Sequence, residues 1–212
     1  MAAHLAGDTT QPRFGSFLQD VTAFDASAFG LSEAEALLMD PQQRLLMEAY
    51  TQAASAATPA SSAASASTGV YIGISAVDYN KLTAKLRLSP TPYSATGSLS
   101  LSVAAGRLSY SFGLKGPALA IDTACSSSLV AVHAAVSGLR LAHSAAAAVG
   151  GVNLQLIPDT PANFQKAGKD AKKDENKVIW TIACSSSSIA VQPVQYNTTD
   201  MAGKVAALCC CM

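Results

Sequence analysis

Residues 118–130, Ala-Leu-Ala-Ile-Asp-Thr-Ala-Cys-Ser-Ser-Ser-Leu-Val, confine this chain to a narrow set of folds. Ala118 to Ile121 is a short apolar strand and Thr123-Ala124-Cys125 a corner of small residues. A helical pattern follows, with Leu129, Val130, Val132, Val136 and Leu139 as its apolar side. The first turn of such a helix carries unpaired amides and the positive end of the dipole, so negative charge developing there is stabilised. Cys125 stands at that helix start. Its neighbours, Ala124 and Ser126 to Ser128, are small enough to let a carbonyl approach the sulfur. The spacing by itself fits a thiol nucleophile and also a small buried filler cysteine.

The rest of the chain alternates strand and helix signals. Ser32 followed by Glu35 is a capping box that opens a short helix through Leu37, Leu38 and Met39. Asp40-Pro41 supplies an N-cap and a first-turn proline for a second helix, continued by Leu45, Leu46, Ala49, Tyr50 and Ala53. Residues 51–68 begin as helix and decay into an Ala/Ser-rich connector. Gly69 to Ile74 reads as a buried strand, 79–92 as loop with a short helix, and 93–110 as a mostly helical small-residue segment. Ala145 to Asn153 is a further strand closing on Gly150-Gly151. This alternation predicts an α/β fold with a largely parallel sheet.

The run Gly106-Arg107-Leu108-Ser109-Tyr110, then Gly116-Pro117 continuing through Ile121-Asp122-Thr123-Ala124-Cys125-Ser126-Ser127-Ser128 to His133, resembles the active-site segment of a β-ketoacyl synthase. It is most similar to the ketosynthase domains of modular polyketide synthases. Two further blocks match in the same order: Asp40-Pro41-Gln42-Gln43-Arg44-Leu45-Leu46-Met47-Glu48 upstream, and Gly150-Gly151-Val152-Asn153 with Ala162 to Gly168 downstream. The resemblance covers residues 12–168. It implies the thiolase-like fold, built of two similar halves in a layered α/β sandwich, of which this chain supplies the N-terminal half. It also implies that Cys125 is the catalytic nucleophile of a fatty acid or polyketide chain-elongating acyltransferase. That reaction is a decarboxylative condensation of acyl and malonyl thioesters carried on the phosphopantetheine of an acyl carrier protein, with no bound cofactor or metal. Family members dimerise, so a homodimer or pairing with a larger synthase is expected.

The family's chemistry also uses two histidines of the second half, and downstream of Cys125 there are only His133 and His143. His133 lies eight residues on, about 12 Å along a helix, too far to deprotonate the thiol, and reads as a packed helix residue. His143, near the helix end, carries no family motif. An alternative is therefore a catalytically inactive truncated ketosynthase-like protein that acts through dimerisation. A hydrolase using Ser126 is a weaker option, because the glycines of a G-x-S-x-G corner are absent. Residues 169–212 lie beyond the resemblance and read as a charged solvated linker followed by an atypical, disordered tail. Ile182 to Ser187 echoes the Cys125 segment without its Gly-Pro strand or Asp-Thr pair, and the terminal Cys-Cys-Cys-Met is a poor prenylation box.

Charge argues in the same direction. Fourteen basic and 14 acidic residues cancel, so no field recruits nucleic acid or an anionic membrane. Charged residues are only 13% of the chain, which favours partners met by shape and apolar contact. No apolar run is long enough to span a membrane, and the five cysteines form neither a disulfide framework nor a spaced metal site. A cytoplasmic protein is expected, with a plastid as the other reducing compartment.

Overall fold

The computed structural model describes Leu18, residues 20–56, 67–86, 97, 99–160 and 162, and the backbone of strands at 180–185 and 188–193. Its centre is a sheet of β1 (Thr68–Ile74), β2 (Ala118–Ile121), β3 (Ala146–Val152), β4 (Trp180–Ser185) and β5 (Ser188–Pro193), in the order β2-β1-β3-β4-β5. β2 and β3 both run parallel to β1 and flank it, Gly73 pairing with Ile121 on one side and Gly151 on the other. β4 and β5 then add antiparallel to β3. The sheet is thus mixed, and part of the segment expected to be a disordered tail extends it. Ile182 to Ser185, the echo of the Cys125 segment, lies within β4. Asn163 to Gly168 of the third matching block and Cys209 to Met212 lie outside the described residues.

Strand alternation divides the core into two layers. On one face, Val70, Ile72 and Ile74 of β1 and Ala148 and Val152 of β3 are covered by Met39, Leu45, Leu46, Met47, Ala49, Ala104, Ala105 and Leu108 of the helical layer. Here α1 is Glu33–Leu38, α2 Pro41–Ala56, α3 Asp78–Lys85 and α4 Val103–Ser111. The opposite face, Tyr71, Ala147 and Val149, is covered by Ala131 and Ala135 of α5 (Ser127–Arg140). Both predicted caps form: Ser32 Oγ accepts from the Glu35 amide at 3.2 Å, and Asp40 Oδ1 from the Gln42 amide at 2.8 Å. The Glu35 side chain does not return to its own cap. It accepts instead from Arg107 Nη1 at 2.9 Å, while Arg107 Nε donates to Gln43 Oε1 at 2.7 Å, tying α1, α2 and α4 together. Among the described residues no helix is long and apolar enough to cross a membrane.

Asp40 is a buried carboxylate, 1% exposed. Burial pushes its pKa above the ordinary 3.8, against the downward pull of its bonds from Gln42 and of the Arg44 charge. The ionised form is therefore harder to accommodate folded than unfolded. Its stability contribution is complete when it is protonated and is lost as pH rises through the folded value. Relative to the non-titrating Asp40→Asn variant, the parent chain is expected to gain stability as pH falls from neutral toward 3.8, and to gain no more below it. Urea midpoints of both chains across that range would show it; a constant gap would contradict it.

Candidate active site

β2 ends at Ile121, and the next five residues build a tight corner. Asp122 Oδ1 accepts from the Ala124 amide at 3.0 Å, an Asx-type turn. Ala124 takes φ +57°, in the left-handed region that costs a residue with a Cβ roughly 1–2 kcal/mol. Such strain persists only where the surroundings hold it. Ser127 is what holds it here: its Oγ accepts from the Thr123 amide at 2.9 Å and donates to the Ala124 carbonyl at 2.7 Å. The side chain thereby clasps the corner from behind, and Ser127 is 5% exposed.

Cys125 lies at the outside of this corner, exposed and with a free thiol, inside a 3-10 turn spanning Ala124–Ser126. The α-helix proper begins at Ser127, two residues later than the sequence pattern predicts. The face of α5 against the sheet also differs from expectation. The most buried positions are Ser127, Ala131, Ala135 and Gly138; of the expected side, Val132 and Leu139 pack half-buried on the same layer, whereas Leu129 is 64% exposed. Small residues win because the helix lies so close: a Cβ on Gly138 would collide with the Tyr71 hydroxyl. His133, expected to be packed, is exposed, and so is His143.

Two glycines seat the first turn of α5. A Cβ on Gly73 of β1 would stand 2.5 Å from the Ser128 amide nitrogen and 2.6 Å from the Ser127 carbonyl carbon. A Cβ on Gly151 of β3 would stand 2.6 Å from Ser128 Cβ. Glycine inside a strand is the sequence mark of such close approach, and Gly73 and Gly150-Gly151 carry that mark. The corner therefore rests on the C-terminal edge of the parallel strands, where α/β sheets commonly present ligand sites. Ser126, the alternative nucleophile, donates its hydroxyl to the Thr123 carbonyl at 2.8 Å and lies 2.9 Å from Thr123 Oγ1. Among the described residues no cluster of three His, Cys, Asp or Glu side chains is placed to hold a metal ion.

Removing the Ser127 clasp should be felt at the thiol. Ser127→Ala leaves the Thr123 amide and the Ala124 carbonyl without this partner, a loss of about 2 kcal/mol. The corner should relax from the left-handed geometry. Denaturation midpoints and the Cys125 alkylation rate measure the two effects; unchanged values for both would mean that the corner does not depend on Ser127.

A sequence profile described as "Beta-ketoacyl synthase, N-terminal domain" matches residues 2–180, wider at both ends than the 12–168 read from motifs. Among similar proteins is phenolphthiocerol synthesis polyketide synthase type I Pks15/1 of Mycobacterium bovis. It is 48% identical over 160 residues, covering 74% of this chain and 7% of that protein. Polyketide synthase GfsE of Streptomyces halstedii is 47% identical over 163 residues, again 74% of this chain and 4% of the other. Among solved structures, the ketosynthase from module 6 of the bacillaene synthase of Bacillus subtilis 168 superposes with TM-score 0.60 at 37% identity. That match covers 72% of this chain and 25% of the ketosynthase. The chain thus spans a small part of each of these relatives.

Proposed function

The chain belongs to the β-ketoacyl synthase family, and we propose that Cys125 is the group through which it accepts an acyl chain in polyketide-type chain elongation. The acyl donor is a thioester on the phosphopantetheine arm of an acyl carrier protein. The Cys125 thiolate attacks its carbonyl, a C–S bond to Cys125 forms, and the pantetheine thiolate leaves and takes up a proton. In the second stage a malonyl thioester loses carbon dioxide, and the resulting enolate carbon attacks the acyl-Cys125 carbonyl. The Cys125 thiolate departs from a chain lengthened by two carbons. By the family resemblance two histidines assist this stage; His133 and His143 are exposed and carry no such motif, so the chain's own residues account for the acylation stage.

The observation that carries this reading is the corner: an exposed thiol at a left-handed turn, clasped by Ser127 and seated on Gly73 and Gly151. Its test is the intact mass of the chain after incubation with an acyl-pantetheine thioester. One acyl adduct, absent from Cys125→Ala, is the expected result. An unmodified parent chain would overturn the proposal.

A second reading, pairing with a further copy or with a larger synthase, is favoured by the open edge of β2. Its outer side has no strand neighbour among the described residues, and Leu119, Leu129 and Leu141 are exposed at 39%, 64% and 65%. An unpaired strand edge carrying an exposed Leu119, on a chain with further exposed leucines, suits a chain-to-chain interface. Sedimentation at micromolar concentration should give a dimer mass, and a monodisperse monomer would count against it.

A further inference from the structure

Beyond Val152 the strand β3 loses its partner, because the chain after Ile74 of β1 turns away toward α3. The main chain at 154–156 nevertheless stays fixed, and side chains take the place of the missing strand. Gln42 Oε1 accepts from the Leu154 amide at 3.1 Å. Asp78 Oδ2 accepts from the Leu156 amide at 3.1 Å, and its Oδ1 accepts from Thr160 Oγ1 at 2.7 Å. Amides two residues apart in an extended chain point the same way, so these two acceptors continue the ladder by two rungs. Gln42 is itself locked, its Nε2 donating to the Ala76 carbonyl at 2.9 Å and to Asp40 Oδ2 at 3.2 Å. Gln42 and Asp78 are 1% and 3% exposed.

The extended ladder reaches the thiol's side of the sheet. Gly151 faces Ser128 of the corner, whereas Val152 and Leu154 belong to the layer under α2. Alternation then puts Asn153, which is exposed, on the same face as Gly151, two residues farther along the edge on which the corner sits. We propose that Gln42 and Asp78 are positioning residues that fix the main chain at 153–156, so that Asn153 and its neighbours border the path of a chain approaching Cys125. This inference rests on Cys125 being the reactive group of the proposed function, but not on the thioester chemistry. Neither side chain touches the substrate.

The test is alkylation of Cys125, followed by peptide mass, with N-ethylmaleimide and with N-hexylmaleimide, and the readout is the ratio of the two rates. The variants are Gln42→Met, which keeps the length and loses the acceptor, Asp78→Leu, and the conservative Asp78→Asn, which keeps an acceptor for Leu156. Gln42→Met and Asp78→Leu are expected to change the ratio at least about fivefold while the N-ethylmaleimide rate stays within about twofold of the parent. Asp78→Asn is expected to retain the parent ratio. Should Gln42→Met not fold, the Asp78 pair decides. Equal ratios throughout would overturn the proposal, as would a uniform fall in both rates, the mark of a merely lower folded fraction. A parent chain that is alkylated normally but never acylated by a thioester would overturn the proposed function and leave this comparison standing.

Discussion

Gly73→Ala is expected to unseat the reactive corner. The added methyl would lie 2.5 Å from the Ser128 nitrogen, 2.6 Å from the Ser127 carbonyl carbon and 2.7 Å from Ser128 Cα, all of them backbone atoms. No rotamer change can relieve such a contact; the first turn of α5 must move outward by roughly 1 Å to reach ordinary van der Waals separation. That movement is resisted farther along the helix, where Ala131 and Ala135 are packed on Tyr71, Ala147 and Val149. Overpacking of this kind costs about 1–3 kcal/mol, with the upper end expected here because the methyl, fixed to the β1 backbone, meets backbone atoms of α5 that have no rotamer to change. The Ser127 clasp sits in the displaced turn, so acylation of Cys125 should fall by about a hundredfold even in the molecules that fold. Gly106→Ala is the matched comparison. Gly106 lies inside α4, and a Cβ there would meet nothing within 4 Å. That substitution should leave acylation unchanged and raise stability by about 0.5–1 kcal/mol. Urea denaturation and adduct mass on the two variants separate a specific loss from a general intolerance of alanine; equal behaviour would remove the seat from the account.

The contrast between those two glycines also marks where the sequence was legible. The two N-caps, the first-turn proline, the glycine-bounded strand and the strand-corner-helix order are local signals, and the chain forms each of them, although α5 starts two residues late and Glu35 bonds Arg107 instead of closing its capping box. The thiolase-like assignment and the family followed from ordered motifs, and the superposition on a ketosynthase agrees with them. The face of α5 is only partly legible: Val132 and Leu139 of the expected side do pack on this layer, but apolar periodicity follows large side chains, while the closest packing is made by Ser127, Ala131, Ala135 and Gly138. Small residues give almost no hydropathy signal, so a helix pressed flat on a sheet hides its inner face from that kind of reading. The Gln42 and Asp78 rungs were hidden for a different reason. Their partners are main-chain amides 112 and 78 residues away, and nothing in side-chain identity announces which backbone group a buried amide or carboxylate will serve. The strands at 180–193 escaped because their pairing is also nonlocal, set by the free edge of β3.

Cys125→Ala should separate chemistry from architecture. The thiol is exposed, and the bonds that shape the corner come from Asp122, Ser126 and Ser127. Truncating it removes no buried contact, so the stability change should stay within about 0.5 kcal/mol, the range of ordinary surface substitutions. Acyl transfer to the chain should nevertheless drop by on the order of a thousandfold or more, since removing a covalent nucleophile deletes the step itself. The neighbouring hydroxyls offer no replacement: Ser126 donates to the Thr123 carbonyl and Ser127 to the Ala124 carbonyl, so the proton of each is already engaged by the backbone of the corner. Hydrolysis of a simple ester at the parent rate by Cys125→Ala would reverse that argument and make Ser126 the reactive group. With malonyl-pantetheine added to the acylated parent chain, the expected result is an acyl adduct that persists without a lengthened product. His133 stands six residues into α5, exposed, and the other described histidine after the corner, His143, lies beyond the helix end and is exposed as well. A lengthened product would show that this chain has its own means of stabilising the enolate, and the residues bordering Cys125 would then be its first candidates.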